Sequence, residues 1–190
     1  LGTLIYLPLA IPATVSAFLA LQFLSGSGLV VRVLLALGIY ADAGSVPGLT
    51  NDTFAIGIIL AHVGIAVPFF VLLLAQTYKT QQIHELNQVA AGLGTSERSR
   101  LTRITLPILI RRVMPNTVLF FVYVMGAYEI PLLLGRQSPQ MLSVLAMRKY
   151  ARFDITQKPE AFAVAVLYAV LVSAVLVSLR RHIRPGANVS

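Results

Sequence analysis

Few residues in this chain have a type and spacing that would support catalysis or metal binding. The three histidines, His62, His84 and His182, never stand three or four residues apart, so no helix presents two of them as zinc ligands. The chain contains no cysteine, which excludes a disulfide framework, a thiolate metal site and a cysteine nucleophile. We therefore predict no catalytic residue and no metal site in this chain.

Glu129 is the outstanding polar candidate because it is acidic, follows Tyr128 and ends an otherwise uncharged stretch. A tyrosine and a glutamate side by side can attract a cationic solute through charge and a cation–π contact. The alternative is a helix-end glutamate that bonds the backbone or a basic residue such as Arg136. Asn116 is a weaker polar candidate in the same stretch.

The composition places these residues in a membrane protein. Hydrophobic residues make up 57% of the 190 residues and charged residues only 12%, whereas soluble domains average about 45–50% and about 25%. Residues 1–31, 53–78 and 161–179 carry no charge, and crossing a bilayer core takes roughly 20 apolar residues. The net charge is +8, and most of the basic residues flank these apolar runs. This arrangement indicates residues that orient the protein in the membrane and contact anionic lipid, rather than a nucleic-acid-binding surface.

Four candidate spans predict an all-α, polytopic helix bundle. The first carries Pro8 and Pro12 in its first half, so we expect it to be kinked or to start late. The second contains one ionisable group, His62, which we expect to be neutral and bonded to a neighbouring helix rather than to relay protons. The third should end or kink at 129–131, because the residue before a proline avoids the helical region. The predicted spans are 4–24, 53–77, 107–128 and 161–179.

The segments between these spans differ in character. Residues 29–40 are too short to cross a bilayer and carry Arg32, which favours a short interfacial helix, and 42–52 is a loop. The segments 79–112 and 136–160 are polar connections. The segment 79–112 and the C-terminus share a side with nine lysines and arginines, against six on the other side. The positive-inside rule therefore predicts that this loop and the C-terminus are cytoplasmic.

The cytoplasmic loop has the pattern of a helix–turn–helix. Its first helix has apolar residues at 3, 4, 3 spacing on one face; these are Ile83, Leu86, Ala90 and Leu93. Gly94 is expected to be the left-handed residue just past this helix. Thr95 or Ser96 can cap the second helix, with Glu97 at its positive end. An apolar face with basic flanks fits a partner's groove or a membrane surface, and the pattern leaves both readings open.

Two runs in this loop resemble a known motif. Gln88-Val-Ala-Ala-Gly-Leu-Gly94, followed after nine intervening residues by Ile104-Thr-Leu-Pro107, resembles the EAA motif of binding-protein-dependent ABC importer permeases, the MetI-like fold. The chain departs from the motif at its start, where Gln88 replaces the glutamate and Val89 the first alanine. Pro107 suits the first turn of a new helix after a bend. Segments 7–15, 126–135 and 141–145 extend the resemblance, the last two towards the spermidine/putrescine-type branch.

The resemblance implies a transport subunit in a bacterial-type inner membrane, not an enzyme. Its loop helix would dock as a coupling helix on a separate ATPase subunit that binds ATP, and this chain has no G-x-x-x-x-G-K-S/T phosphate loop. The other implied partners are a second permease subunit and an extracytoplasmic solute-binding protein. The predicted coupling residues are Ile83, Leu86, Gln88, Ala90, Ala91, Leu93, Gly94, Ile104, Leu106 and Pro107. The resemblance also implies a solute path through the bundle, for which the candidates are Glu129, Tyr128 and Asn116.

The resemblance also implies that residues 1–190 form a single transmembrane domain lacking one or two spans at its N-terminus, where the chain begins without methionine. The alternative function is an ion-coupled secondary transporter or channel subunit that needs no ATPase. Paired intramembrane carboxylates or inverted repeats would favour it, and the sequence shows neither. A purely structural membrane subunit is a third hypothesis.

Overall fold

All regular structure is helical in residues 6–151 and 158–183, the parts of the chain that the computed structural model describes. The all-α prediction is therefore confirmed. A short 3₁₀ turn at Ala43–Ser45 lies in the predicted loop 42–52. The α-helices are α1 Leu7–Ala10, α2 Ala13–Leu24, α3 Leu29–Ala36, α4 Ile56–Thr80, α5 Ile83–Gly92, α6 Glu97–Arg100, α7 Leu106–Gly126, α8 Glu129–Leu134, α9 Leu142–Tyr150 and α10 Lys158–Ile183.

Four helical segments are long and apolar enough to cross a membrane, as predicted. Only 6–17% of the residues in their most apolar windows are buried inside the chain, so most of their surface is free to meet lipid or other subunits. The segments are Ala13–Ala36, Ile56–Thr80, Glu97–Gly126 and Lys158–Ser178.

Two breaks shape this first part of the chain, one before Ala13 and one inside the segment Ala13–Ala36. Helix α1 ends at Ala10 and α2 begins after Pro12, which confirms the predicted kink; Leu4 and Ile5 lie outside the described residues. A second break at Ser25 separates α2 from α3, the short helix predicted around Arg32. A side-chain carbon on Gly28 would come within 2.7 Å of a carbonyl oxygen of α2, so glycine lets α3 return closely against α2.

Helix α4 occupies the second predicted span but begins at Ile56 and continues to Thr80. Asp52 Oδ2 accepts the backbone N–H groups of Phe54 at 3.1 Å and Ile56 at 2.8 Å, and so satisfies donors at the helix start. His62 is 6% exposed, and its Nδ1 lies 2.8 Å from the carbonyl oxygen of Ile58. The predicted bond to a neighbouring helix is wrong, because the partner lies one turn earlier on α4 itself.

The end of the third predicted span also differs from the expectation. Helix α7 ends at Gly126, and Ala127 is extended with ψ at 136°, so the break precedes the predicted 129–131. Pro131 lies in the first turn of α8 instead, where its missing N–H would have no intrahelical acceptor. The Ser143 hydroxyl donates to the Ala127 carbonyl at 2.8 Å and satisfies an acceptor next to the break.

Helices α2, α4 and α8 enclose the main core, which is formed by Ala17, Ile58, Ile130 and Leu134. The 49–52 loop is tied to it by a bond from the Asn51 N–H to the Leu134 carbonyl at 2.7 Å. Gly57 fits under this loop because it has no side chain; a carbon added there would lie 1.9 Å from the Leu49 carbonyl oxygen.

Helices α8 and α9 lie at 129–150, a region where the sequence analysis predicted a span end and a polar connection. Helix α9 packs against α10, where Lys149 pairs with Glu160 and Tyr150 meets Phe162 with ring centroids 6.0 Å apart. The predicted basic end of the last span lies partly outside the described residues, as do Arg152 and Arg184.

The contact at Gly57 gives a test of the fold. We expect Gly57→Ala to destabilise the protein by about 1–3 kcal/mol, because the added carbon forces the 49–52 loop away from α4. Gly64→Ala in the same helix is the matched control, since no heavy atom lies within 4 Å of its added carbon. Thermal unfolding of both variants in the same detergent measures the difference. Equal midpoints for the two variants would contradict this packing.

Candidate functional site

Helix α5 lies across the end of α4 and the start of the next long helix. The chain turns sharply between α4 and α5 because Gln82 adopts a left-handed conformation, with φ at 49°. Ile83 follows and is fully buried. A fully buried isoleucine stabilises by roughly 1.5–3 kcal/mol, so this residue holds the first turn of α5 against the bundle.

Two hydrogen bonds join the middle of α5 to the helix that follows it. The Asn87 side chain donates from Nδ2 to Thr105 Oγ1 at 3.0 Å, and Arg100 donates from Nη1 to the Asn87 carbonyl at 3.2 Å. Thr105 is 7% exposed, which protects its bond from competing water. The sequence pattern did not single out these three residues, although a polar Asn87 one turn after Ile83 marks the inner face of the helix.

Helix α5 ends in a Schellman motif centred on Gly94. The N–H of Gly94 donates to the Ala91 carbonyl at 2.9 Å, and the N–H of Thr95 donates to the Ala90 carbonyl at 3.1 Å. Gly94 has φ at +76°, so the prediction of a left-handed glycine is confirmed. Ser96 caps α6 by accepting the Ser99 N–H at 3.4 Å, as one of the two predicted caps.

The expectation that a new helix starts at Pro107 is wrong. The helix runs without interruption from Glu97 to Gly126, and a π-helical stretch, Leu101–Thr105, precedes the proline. Its wider turn closes with a bond from the Leu106 N–H to the Leu101 carbonyl. Pro107 has no N–H, and its ring conflicts with the carbonyl four residues earlier, so a π turn just before it keeps the helix continuous.

The predicted apolar stripe of α5 divides between two faces. Ile83 is buried and Ala90 half-buried, whereas Leu86 is 46% and Leu93 82% exposed. Val89 is 67% exposed and lies on the same side as these two leucines, three residues after one and four before the other. We call Leu86, Val89 and Leu93 the docking face, because they form an apolar surface on a helix whose other side is fixed.

The remaining predicted coupling residues surround this face or lie on the following helix. Gln88 and Ala91 are exposed, and Gln88 Nε2 lies 3.0 Å from His84 Nε2. Ile104 and Pro107 are half-buried, and Leu106 is 42% exposed. The structure therefore brings the predicted residues to one end of the bundle, on two helices that are bonded to each other.

Glu129 and Tyr128 lie at the other end of α7. Glu129 is the first residue of α8, and both side chains are half-buried. The proposed alternative partner, Arg136, donates instead to Thr53 Oγ1 at 3.4 Å, and no described residue bonds the Glu129 carboxylate. Asn116 is ten residues before the end of α7, about 15 Å along the axis, so the structure does not bring it together with Glu129.

Within the described residues, no group of three histidine, cysteine, aspartate or glutamate side chains is placed to hold a metal ion. The two candidate regions are separated by the length of α7, whose 21 residues span about 31 Å. One end therefore offers an apolar surface with a basic rim, and the other end offers a carboxylate beside a tyrosine.

Sequence alignments with curated relatives extend over most of this chain. The molybdenum transport system permease protein ModB of Mycobacterium bovis and its counterpart in Mycobacterium tuberculosis are each 27% identical over 179 residues, which is 94% of this chain. The chain spans 63% of the length of these two proteins. The "Probable ABC transporter permease protein y4fN" of Sinorhizobium fredii is 28% identical over 70% of this chain and 22% of its own length.

None of these names refers to spermidine or putrescine, so they lend no support to the predicted branch. They agree instead with the coarser prediction of an ABC transporter permease. A model of the family described as "Binding-protein-dependent transport system inner membrane component" matches residues 1–189. The chain therefore belongs to this family of multi-pass inner-membrane transport components.

Proposed function

We propose that this chain is the transmembrane subunit of an ATP-dependent importer and that the loop 79–112 couples it to a separate ATPase. The observation that carries the proposal is the docking face: three exposed apolar side chains on a helix whose opposite side is anchored. Family membership supports the transport role. ATP would bind to the partner subunit, and a binding protein outside the membrane would deliver the solute.

The anchoring of α5 supports a role in force transmission. Ile83 holds it against the bundle, and Asn87 ties it to Thr105, so α5 is connected to the ends of both α4 and α7. A displacement of α5 by a moving partner would therefore be transmitted to two membrane helices. Coupling between distant sites needs such a rigid, contiguous element.

The composition of α5 favours a protein partner over the membrane surface. Helices that lie on membranes are rich in lysine and arginine on their polar face, but α5 contains neither and carries Glu85 in its first turn. The arginines of this loop lie on the following helix, where Arg98 and Arg103 are exposed. They are positioned to meet acidic groups around a groove that receives the docking face.

The assembly would contain two permease subunits and two ATPase subunits, with the loop 79–112 and the C-terminus in the cytoplasm. The orientation rests on the excess of basic residues on that side. An ion-coupled secondary transporter is the alternative, and membership in a family of binding-protein-dependent components argues against it.

Two solute classes are candidates. The half-buried Glu129 beside Tyr128 favours a cation such as a polyamine, whereas relatives named for molybdenum transport favour the oxyanion molybdate. The carboxylate distinguishes the two, because a negative charge on the path attracts a cation and repels an oxyanion.

The docking face can be tested by Leu93→Ser. We expect the affinity for the ATPase to fall about tenfold or more, because removing a buried leucine from an interface costs roughly 1.5–3 kcal/mol. Co-purification of the ATPase with the membrane-embedded permease measures this loss. Leu37→Ser is the matched control, since Leu37 is 68% exposed and lies just after α3, far along the chain from this loop. An unchanged ATPase yield with Leu93→Ser would contradict the proposal.

The turn at Gly94 can be tested by Gly94→Val and Gly94→Asn. Valine in a left-handed conformation is strained by about 1–2 kcal/mol, whereas asparagine tolerates it. We expect Gly94→Val to abolish solute-stimulated ATP turnover while the protein stays in the membrane, and Gly94→Asn to keep most of the activity. Full ATP turnover in Gly94→Val would rule out a coupling role for this turn.

The solute path can be tested by Glu129→Gln. For a cationic solute we expect the KM for uptake to rise about tenfold, since about 1.4 kcal/mol of attraction is lost. For molybdate we expect no loss of uptake. Glu160→Gln is the matched control, because Glu160 likewise lies in the first turn of its helix and is outside the proposed coupling loop. Uptake of labelled spermidine and of molybdate by cells carrying each variant measures both cases, and equal KM values for spermidine would remove Glu129 from the path.

A further inference from the structure

Helix α7 carries two adjacent arginines, Arg111 and Arg112, that the transport proposal does not use. Both lie inside the predicted span 107–128 and in a segment that is long and apolar enough to cross a membrane. Both are exposed, and neither has a hydrogen bond or an ion pair within the described residues. A charged side chain in a membrane segment is costly unless it finds a partner, so these two need a partner from outside the described chain.

The contact between α4 and α7 shows how deep these arginines lie in the bundle. The two helices run in opposite directions, since α4 ends and the helix containing α7 begins next to α5. Phe69 and Phe120 stack with their ring centroids 5.4 Å apart, so the two residues lie at the same level. Phe69 is the fourteenth of the 25 residues of α4, so the stacked rings mark the middle of this membrane helix.

Three basic residues lie at nearly equal distances from this middle level, on the side of α5. Arg112 and Arg111 are eight and nine residues before Phe120, which is about 12–14 Å along the axis. Lys79 is ten residues after Phe69, which is about 15 Å. Half of a hydrocarbon core of roughly 30 Å is about 15 Å. The long basic side chains therefore reach the level of the lipid headgroups.

The nearest described acidic residues at this end of the bundle are too far away to pair with the arginines along α7. Glu97 is 14 residues before Arg111 in the same continuous helix, about 21 Å along the axis. Glu85 lies in α5, which is bonded to this helix at Thr105, about 9 Å beyond Arg111. An ATPase on the docking face would meet α5, which lies farther from the membrane centre than the arginines. The phosphate groups of lipids lie at the right level instead.

Arg111 is the first residue of an outward stripe that has the shape of a lipid site. Pro115 and Leu119 follow it at four-residue spacing, so the three lie on one side of α7. Pro115 is exposed and Leu119 is 66% exposed. On the opposite side, Val113 is buried and Phe120 packs against α4. A guanidinium at the edge of the core, followed by apolar surface towards its centre, matches a phosphate and the acyl chain attached to it.

We propose that Arg111 and Arg112 bind the phosphate of an anionic phospholipid in the leaflet on the α5 side, which is the inner leaflet in the proposed orientation. The guanidinium groups donate to phosphate oxygens, and an acyl chain lies along Pro115 and Leu119. Because the site is positively charged, it favours phosphatidylglycerol, which has a net negative charge, over zwitterionic phosphatidylcholine. Such a site needs neither the ATPase nor an identified solute, so it is independent of the proposed function.

Lipid retention by the purified transporter complex tests this site. Native mass spectrometry after incubation with equimolar phosphatidylglycerol and phosphatidylcholine gives the ratio of the two bound lipids. We expect a ratio of about ten for the wild type, which corresponds to about 1.4 kcal/mol. Arg111→Gln combined with Arg112→Gln should lower this ratio about threefold or more, because the charge that selects the anionic lipid is removed.

Two control variants separate the site from general effects of charge and stability. Arg111→Lys combined with Arg112→Lys keeps both charges at the same depth and should keep most of the preference. Arg32→Gln combined with Arg136→Gln removes two exposed arginines from the outer ends of other helices and should leave the ratio unchanged.

Three results of this comparison would overturn the proposal. The first is a wild-type ratio near one. The second is an equal ratio for the two glutamine double variants. The third is a lysine variant that loses the preference as fully as the glutamine variant at the same positions, since the effect would then not depend on charge.

Other anions at the same arginines are distinguished by two further measurements. Inorganic phosphate at the same concentration as the lipids should not displace phosphatidylglycerol, because it has no acyl chain, and displacement would overturn the assignment to a lipid. If the arginines faced the solute path instead, Arg111→Gln with Arg112→Gln would keep the lipid ratio and raise the KM for molybdate uptake. That result would also overturn the proposal.

Discussion

Backbone groups inside a lipid bilayer have no water to bond, so they must find partners within the protein. This requirement explains why the described chain is helical and how it treats each interruption. Ser143 donates to the carbonyl at the break between α7 and α8, Asp52 accepts the N–H groups at the start of α4, and a π turn precedes Pro107. At each of these three places, a side chain or a change in helical winding compensates for the irregular backbone.

The same bonds also determine what can move independently. Helix α5 is held by a buried Ile83 and by the bond between Asn87 and Thr105, so it forms one body with the ends of α4 and α7. At the opposite end, Asn51 is tied to α8 and Gly57 lies under the 49–52 loop. The chain is therefore stiff at both ends of α4, while few residues in its long apolar segments are buried.

Much of this fold follows from the sequence, because long charge-free runs and local turn signals do not depend on distant contacts. The four spans, the kink at Pro12 and the left-handed Gly94 are of this kind. The six-residue α8 and nine-residue α9 are shorter than the windows in which periodicity can be recognised. The Asn87–Thr105 bond joins residues 18 apart, and the outward side of α5 depends on where Ile83 is buried, so neither could be predicted from local pattern.

The exposure of the docking face has a consequence for how such a protein is made in the cell. Leu93 is 82% exposed and Val89 67%. A newly inserted copy without its proposed partner therefore exposes apolar side chains to water. Such a surface attracts chaperones and quality-control proteases. If the proposed ATPase partner covers this face, the ratio of the two subunits would be set after synthesis, because copies left uncovered would be removed.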